Sequence, residues 1–520
     1  MDEDIAGGGT AADRLLRGVP LTEALDTADP RAWTALDLDV RQALRYGHPL
    51  LPDVAWTAAP RSGPPAPKEQ APGRSGRLRL WATTRFRRPA GDTDASRGPD
   101  ARGGHTRARR ADAQPPAGAG GAGGPGAEPD VRARLALALC HPDGRVREAA
   151  LDEAAQHRAL LPLVVVRAGD WAGPVREKAR RVLGGTLDVE TAVDLAPLIL
   201  WTGRRDRGDF GLGLLGEVLR RAPRERLLPL HTHPDRAVRR YAFRLAVEEG
   251  LLSPGELARH ASRDADTVVR TLCADAAVAA VTEEGDWDGV LERLLDARLP
   301  RVRAAGVTAL RRAGRPERAV GHLADRAAVV RACARYVLRR HGTDPLPWYR
   351  ARCADPSDPA VPPGAVIGLA ECGERADAGL LWPLLTHPAP AVRARAVAGL
   401  HTLDVTDAAR LLPLLGDPAP GVVRAAVTSL LPSAGTLPAD RLTACLAPER
   451  PRHVRVAAFR LLDARGGLTG LRAAVALLDD PDDRLRAWAG QSVRRWRPGP
   501  DTPRGGGGGR VAAPGPAPLR

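Results

Sequence analysis

Between residues 130 and 497 the apolar positions follow a helical period that polar turns interrupt at short, regular intervals. Val238, Ala242 and Leu245 stand at i, i+4 and i+7, one face of a helix. In one clear copy, Ala408 to Leu415 predicts a first helix, Asp417-Pro418-Ala419-Pro420 a turn, and Val422-Val423-Arg424 the opening of a second helix. Proline is tolerated in the first helical turn, where its missing N–H would be unpaired anyway, and aspartate accepts bonds from the free N–H groups there. The unit returns down the chain, marked by an apolar-Arg pair at Arg239, Arg270, Arg303, Arg331, Arg393, Arg424, Arg455 and Arg486, the last four 31 residues apart. A unit this short cannot bury its apolar face without neighbours, so the period predicts a stack. The expected fold is all-α, a solenoid of about twelve antiparallel helix pairs, about 100 Å long at roughly 8 to 10 Å between packed helices.

Other segments break this pattern. Residues 1–56 form a short acidic segment with helix-like stretches at Ala11 to Arg17 and Pro30 to Tyr46, the latter carrying Trp33, Leu36, Val40 and Leu44 on one face. Residues 57–129 are rich in Pro, Gly, Ala and Arg, a composition that predicts a disordered linker. Within it Arg77 to Arg88 alternates basic with apolar residues, the pattern of a short docking segment or of a solvated basic tract. Residues 498–520 read as a flexible Gly/Pro-rich tail. Inside the array two steps lack the arginine, at Arg207-Gly208-Asp209-Phe210 and at Val361-Pro362-Pro363-Gly364, and altered stacking is expected near both.

Composition narrows the choice. Aromatic residues make up 3% of the 520, too few for a large sheet sandwich, whereas Ala, Leu and Arg suit packed helices. The formal charge of +15 would point to a polyanionic partner. Yet Lys68 and Lys178 are the only lysines and asparagine is absent, so the arginine content reflects coding bias in part. Cys140, Cys273, Cys333, Cys353, Cys372 and Cys445 are scattered without metal-ligand spacing and read as small side chains in a reducing compartment. Met1-Asp2-Glu3-Asp4 lacks the basic region of a signal peptide, and no apolar run approaches the roughly 20 residues of a membrane span. A cytoplasmic location without membrane partners is expected.

The pattern D/H-P-x-x-x-V-R resembles HEAT repeats, in particular the short bacterial HEAT-like form of the phycobilin-lyase type. His233-Pro234 with Val238-Arg239, His387-Pro388 with Val392-Arg393, and Asp480-Pro481 with Leu485-Arg486 carry it most clearly. The resemblance implies a right-handed superhelix with first helices on the convex side and second helices on the concave side. It also implies a hydrogen-bonded ladder between units in which turn acids bond the arginines, here Asp143, Asp235, Asp264, Asp325, Asp417 and Asp480 with nearby Arg147, Arg239, Arg270, Arg331, Arg424 and Arg486. Arginines left over from the ladder would line the concave face, and Arg239, Arg240, Arg270, Arg303, Arg331, Arg335, Arg393, Arg424, Arg455 and Arg486 are the candidates for partner binding.

Motifs for chemistry are sparse. Gly211-Leu212-Gly213-Leu214-Leu215-Gly216 matches a dinucleotide fingerprint in letters, but no β-α-β unit surrounds it and it falls within a predicted second helix. His231 and His233 lack a carboxylate or cysteine at ligand spacing, and His141, His233 and His387 share one turn position, which argues for a structural role. Glu248-Glu249 and Glu283-Glu284 read as solvated helix ends. No catalytic residue, cofactor or metal is assigned. The leading expectation is a non-enzymatic scaffold that binds a partner protein on its concave face. Alternatives are a nucleic-acid-binding solenoid resembling the HEAT-like DNA glycosylases, which would need a carboxylate flanked by aromatics, and an enzyme resembling the phycobilin lyases.

Overall fold

A computed structural model describes residues 9–45, 131–282 and 287–497. The expected linker, the segment Arg77 to Arg88, the tail and Glu283-Glu284 lie outside the described residues. Among the described residues every regular element is helical, and twelve helix pairs follow one another as an all-α solenoid. The chain divides into two compact units between Leu219 and Arg220. The first three pairs belong to the first unit and the other nine to the second.

In the first unit the pairs are Val131–Leu139 with Gly144–Ala154, Leu161–Arg167 with Gly173–Thr186, and Val189–Thr202 with Asp209–Arg220. Ahead of them lie three helices, Ala11–Leu16, Leu21–Ala24 and Pro30–Arg45. Thr10 and Asp13 start the first of these with a capping box, each side chain bonded to the other's backbone N–H. The amino-terminal helices pack across the first helices of all three pairs. Trp33, Leu36 and Val40 are buried as the periodicity predicts, and Arg31 lies over the ring of Trp201, 5.0 Å from its centroid. Covered on both sides, Val131–Leu139 buries Ala133 and Leu135 through Leu139, and only its first turn, with Arg132, is exposed.

The second unit repeats one plan. Most of its second helices, among them Pro390–Thr402 and Pro420–Leu430, open with proline or just after a capping aspartate, while Ala328–Arg340 has neither. Pro420–Leu430 buries Val422, Val423, Ala426, Val427 and Leu430, and each large apolar side chain contributes about 1.5 to 3 kcal/mol when removed from water. The first helices are weaker. Where Ala408 to Leu415 was expected as one α-helix, α-helix spans only Ala408–Leu411 and a 3₁₀ segment follows at Leu412–Gly416. Pro413 explains the change, because its ring lacks the N–H that would continue the ladder. Pro383 has the same effect at Pro383–Thr386.

Both irregular steps are built on glycine. A Cβ on Gly208 would lie 2.4 Å from the Thr202 carbonyl oxygen, and the preceding Arg207 is held at φ 68°. At the other step Pro362 caps Pro363–Cys372, and a Cβ on Gly364 would lie 2.0 Å from the Ala324 carbonyl oxygen. One turn later Gly368 makes room for the buried ring of Tyr349, whose hydroxyl donates to the Leu323 carbonyl at 2.8 Å.

Candidate interaction site

The marker arginine stands at the fourth position of its helix, where the side chain reaches two turns at once. Arg393 donates through Nη1 to the carbonyls of His387 and Pro388 in its own turn, at 2.9 and 3.0 Å. Its remaining nitrogens grip both carboxylate oxygens of Asp417, in the next turn, at 2.8 Å each. Asp417 in turn accepts the N–H of Ala419 at 2.8 Å. Arg147 with Asp170 and Arg303 with Asp325 repeat this bidentate arrangement, Arg455 bonds Asp480, and Arg239 approaches Asp264 at 3.8 Å. Burial would raise the carboxyl pKa of Asp170, Asp325 and Asp417, but the arginine and backbone bonds outweigh it and hold all three below the usual value.

The bonds run between units, as the resemblance implies, but the partners differ from the expected ones. Arg147, Arg239, Arg303, Arg393 and Arg455 each reach the acid of the following turn. Asp143 and Asp235 cap Arg145 and Ala237, at 2.9 and 2.7 Å. Arg270 donates to the carbonyls of Ala261 and Ser262, and Arg486 bonds the Asp480 carbonyl and the Asp483 carboxylate. Arg331 bonds the Asp325 carbonyl but takes its carboxylate from Glu371, which also accepts from Arg335 at 2.7 Å. Arg240 pairs with Asp266 at 2.8 and 3.1 Å. Arg424 stands one position late, in the fifth place of Pro420–Leu430, so buried Val423 occupies the ladder site. Arg424 is exposed, and its side chain has no hydrogen-bond or ion-pair partner among the described residues.

The arginines expected to bind a partner are therefore largely spent on the scaffold. Arg303, Arg331, Arg335 and Arg455 are buried. The sequence pattern missed Asp170, Asp266 and Glu371; an acid 22 to 26 residues after an arginine is the signal for the first two. His141, His233 and His387 do share a role, each accepting at Nδ1 the N–H two residues on, all at 3.0 Å, as the ladder aspartates do. His387 also bonds the Asp358 carbonyl through Nε2 at 3.0 Å. His231 is a different case, buried against Phe243, where desolvation and then the charge of His260 push its pKa down to about 4. Among the described residues no three His, Cys, Asp or Glu side chains gather as a metal would require. Gly211, Gly213 and Gly216 lie inside helix Asp209–Arg220. An added Cβ on Gly211 would meet Ile199 at 3.4 Å, ordinary contact, and Gly213 faces open space, so close packing requires glycine at neither.

A concave site does occur at the first irregular step. A cavity of about 400 Å³ is bounded by Thr34, Asp37, Leu38 and Arg41 of helix Pro30–Arg45, by Val165 through Trp171, and by Thr202, Arg205 through Gly208, and Gly211. In its interior Arg167 bonds Asp37 at 2.5 Å and Asp170 at 3.0 Å, and Asp37 also pairs with Arg41 at 3.0 Å. The Nε of Arg167 is buried without an acceptor. Trp171, 63% exposed, lies over the Arg147 guanidinium at 5.5 Å, and Leu38 is 55% exposed. Arg205, Asp206 and Arg207 are exposed, and their side chains have no partner among the described residues. Asp170 and Trp171 do place a carboxylate beside an aromatic ring, but Arg147 and Arg167 hold both carboxylate oxygens. Cys140 offers no nucleophile, since burial and then the charge of Asp37 push its thiol up to about 12. The arrangement can hold a ligand through hydrogen bonds and apolar contact.

No family model matches the chain, and no curated protein is similar to it. Among solved structures it is similar to a crystal structure of Kap121p, with 15% identity and a TM-score of 0.23 over 69% of this chain and 44% of that one. It is also similar to a structure of microtubule polymerases with Tumor Overexpressed Gene domain arrays, with 12% identity and a TM-score of 0.22 over 71% of this chain and 90% of that one. The chain thus spans less than half the length of the Kap121p chain it matches. Among the described residues no helix is long and apolar enough to cross a membrane.

Proposed function

We propose that this chain is a non-enzymatic helical-repeat scaffold that binds a partner protein. Recognition is concentrated at the cavity between helix Pro30–Arg45 and the second and third helix pairs. The observation that carries this reading is the fate of the arginines. A polyanion such as a phosphate backbone needs a row of accessible cations, whereas most marker arginines bond carboxylates and carbonyls of the scaffold. What stays accessible beside a concave surface is Trp171 with Leu38, an aromatic and aliphatic pair of the kind that anchors protein interfaces. Affinity capture on the immobilised full chain, followed by quantitative mass spectrometry, tests it. The expected result is a protein retained in near-stoichiometric amount and resistant to nuclease. Retention of nucleic acid alone, or of nothing in stoichiometric amount, would overturn the proposal.

A further inference from the structure

We infer that the cavity beside Trp171 receives an acidic peptide segment of the partner, with one carboxylate in the cavity and a neighbouring apolar side chain against Trp171 and Leu38. The inference rests on the scaffold reading and names the chemistry of its partner. Arg167 supplies the first argument. It is 1% exposed, lines the cavity, and keeps an Nε–H that the scaffold leaves without an acceptor. Charge supplies the second. The lining aspartates Asp37 and Asp170 are already bonded by Arg41, Arg147 and Arg167, whereas Arg205 and Arg207, also in the lining, have only Asp206 between them in sequence. An incoming carboxylate therefore meets two arginines unpaired among the described residues against one unpaired aspartate, Asp206. Shape supplies the third. The volume suits one or two side chains, and Leu38 and Trp171 offer apolar surface beside it. A nucleic acid is disfavoured because the cavity gathers its cationic donors at one place rather than along a track.

The test is fluorescence polarisation of the full-length chain with a dye-labelled peptide in which two glutamates flank a leucine. Its glutamine counterpart, inorganic phosphate and a short DNA duplex serve as competitors. Saturable binding is expected, weakened about tenfold or more by Trp171→Ala, by Arg205→Glu, and by the exchange of glutamate for glutamine. Trp171 and Arg205 are exposed, and unchanged thermal melting of both variants will separate lost binding from lost fold. Competition by phosphate or DNA at equal strength would assign the site to phosphate and overturn the inference, as would binding that neither variant changes. If affinity capture still yields a stoichiometric partner while the peptide shows no binding, this inference falls and the scaffold reading stands.

Discussion

At the scale of single residues, one arginine does two jobs: it closes its own turn and holds the next. Arg393 and Asp417 are both largely buried, with side-chain exposures of 12% and 7%. Removing one partner strands a charge, so Arg393→Met or Asp417→Leu alone is expected to cost about 3 kcal/mol or more in urea unfolding. The double variant should cost clearly less than the sum of the two, the sign of direct coupling. Because the Asp417 pKa is depressed on folding, its contribution is present above the unfolded value near 3.8 and is lost as pH falls through the folded value. His231 acts at higher pH. Its folded pKa of about 4 lies below the ordinary 6.5, so the unfolded chain binds the extra proton first and stability falls from pH 6.5 towards 4. Between pH 7 and 5 a loss on the order of 1 to 2 kcal/mol is expected in urea unfolding, and His231→Phe should remove most of it. The sequence showed that the arginines recur but not what they touch. The four at 31-residue spacing look equivalent, yet their helices begin at 390, 420, 452 and 483, so Arg424 alone is out of register.

At the scale of elements, most second helices were legible because the apolar period begins beside a proline or a capping aspartate. The first helices were less so, since prolines such as Pro383 and Pro413 let apolar periodicity persist while the backbone tightens into 3₁₀ turns. The two irregular steps could be seen as missing arginines, but the close approach at Gly208, Gly364 and Gly368 depends on neighbours distant in sequence. Those approaches can be tested. Gly208→Ala sets a methyl group against the backbone of Thr202 and Gly203 and is expected to destabilise the first unit by about 1 to 3 kcal/mol, read by thermal or urea unfolding. Gly213→Ala, five residues on and facing open space inside a helix, should instead be neutral or stabilising by up to about 1 kcal/mol. Equal effects from the two substitutions would show that the packing around Gly208 is not as described.

At the scale of the whole molecule, repetition supplies the frame and its interruption supplies the site. The cavity was not readable from the repeat pattern, because its walls come from helix Pro30–Arg45, from Arg167 and Trp171, and from the loop before Gly208, none of which carries the marker. Net charge misled for a related reason: it counts arginines without showing which are already bonded. The most direct measurement is calorimetric titration of the captured partner into the full chain and two variants, Trp171→Ala and Arg424→Glu. Arg424 is the control, an exposed marker arginine with no bond to the scaffold among the described residues. The predicted result is that Trp171→Ala weakens binding about tenfold or more while Arg424→Glu leaves it unchanged. Binding that is lost with Arg424→Glu and kept with Trp171→Ala would contradict the account and return recognition to the arginine row.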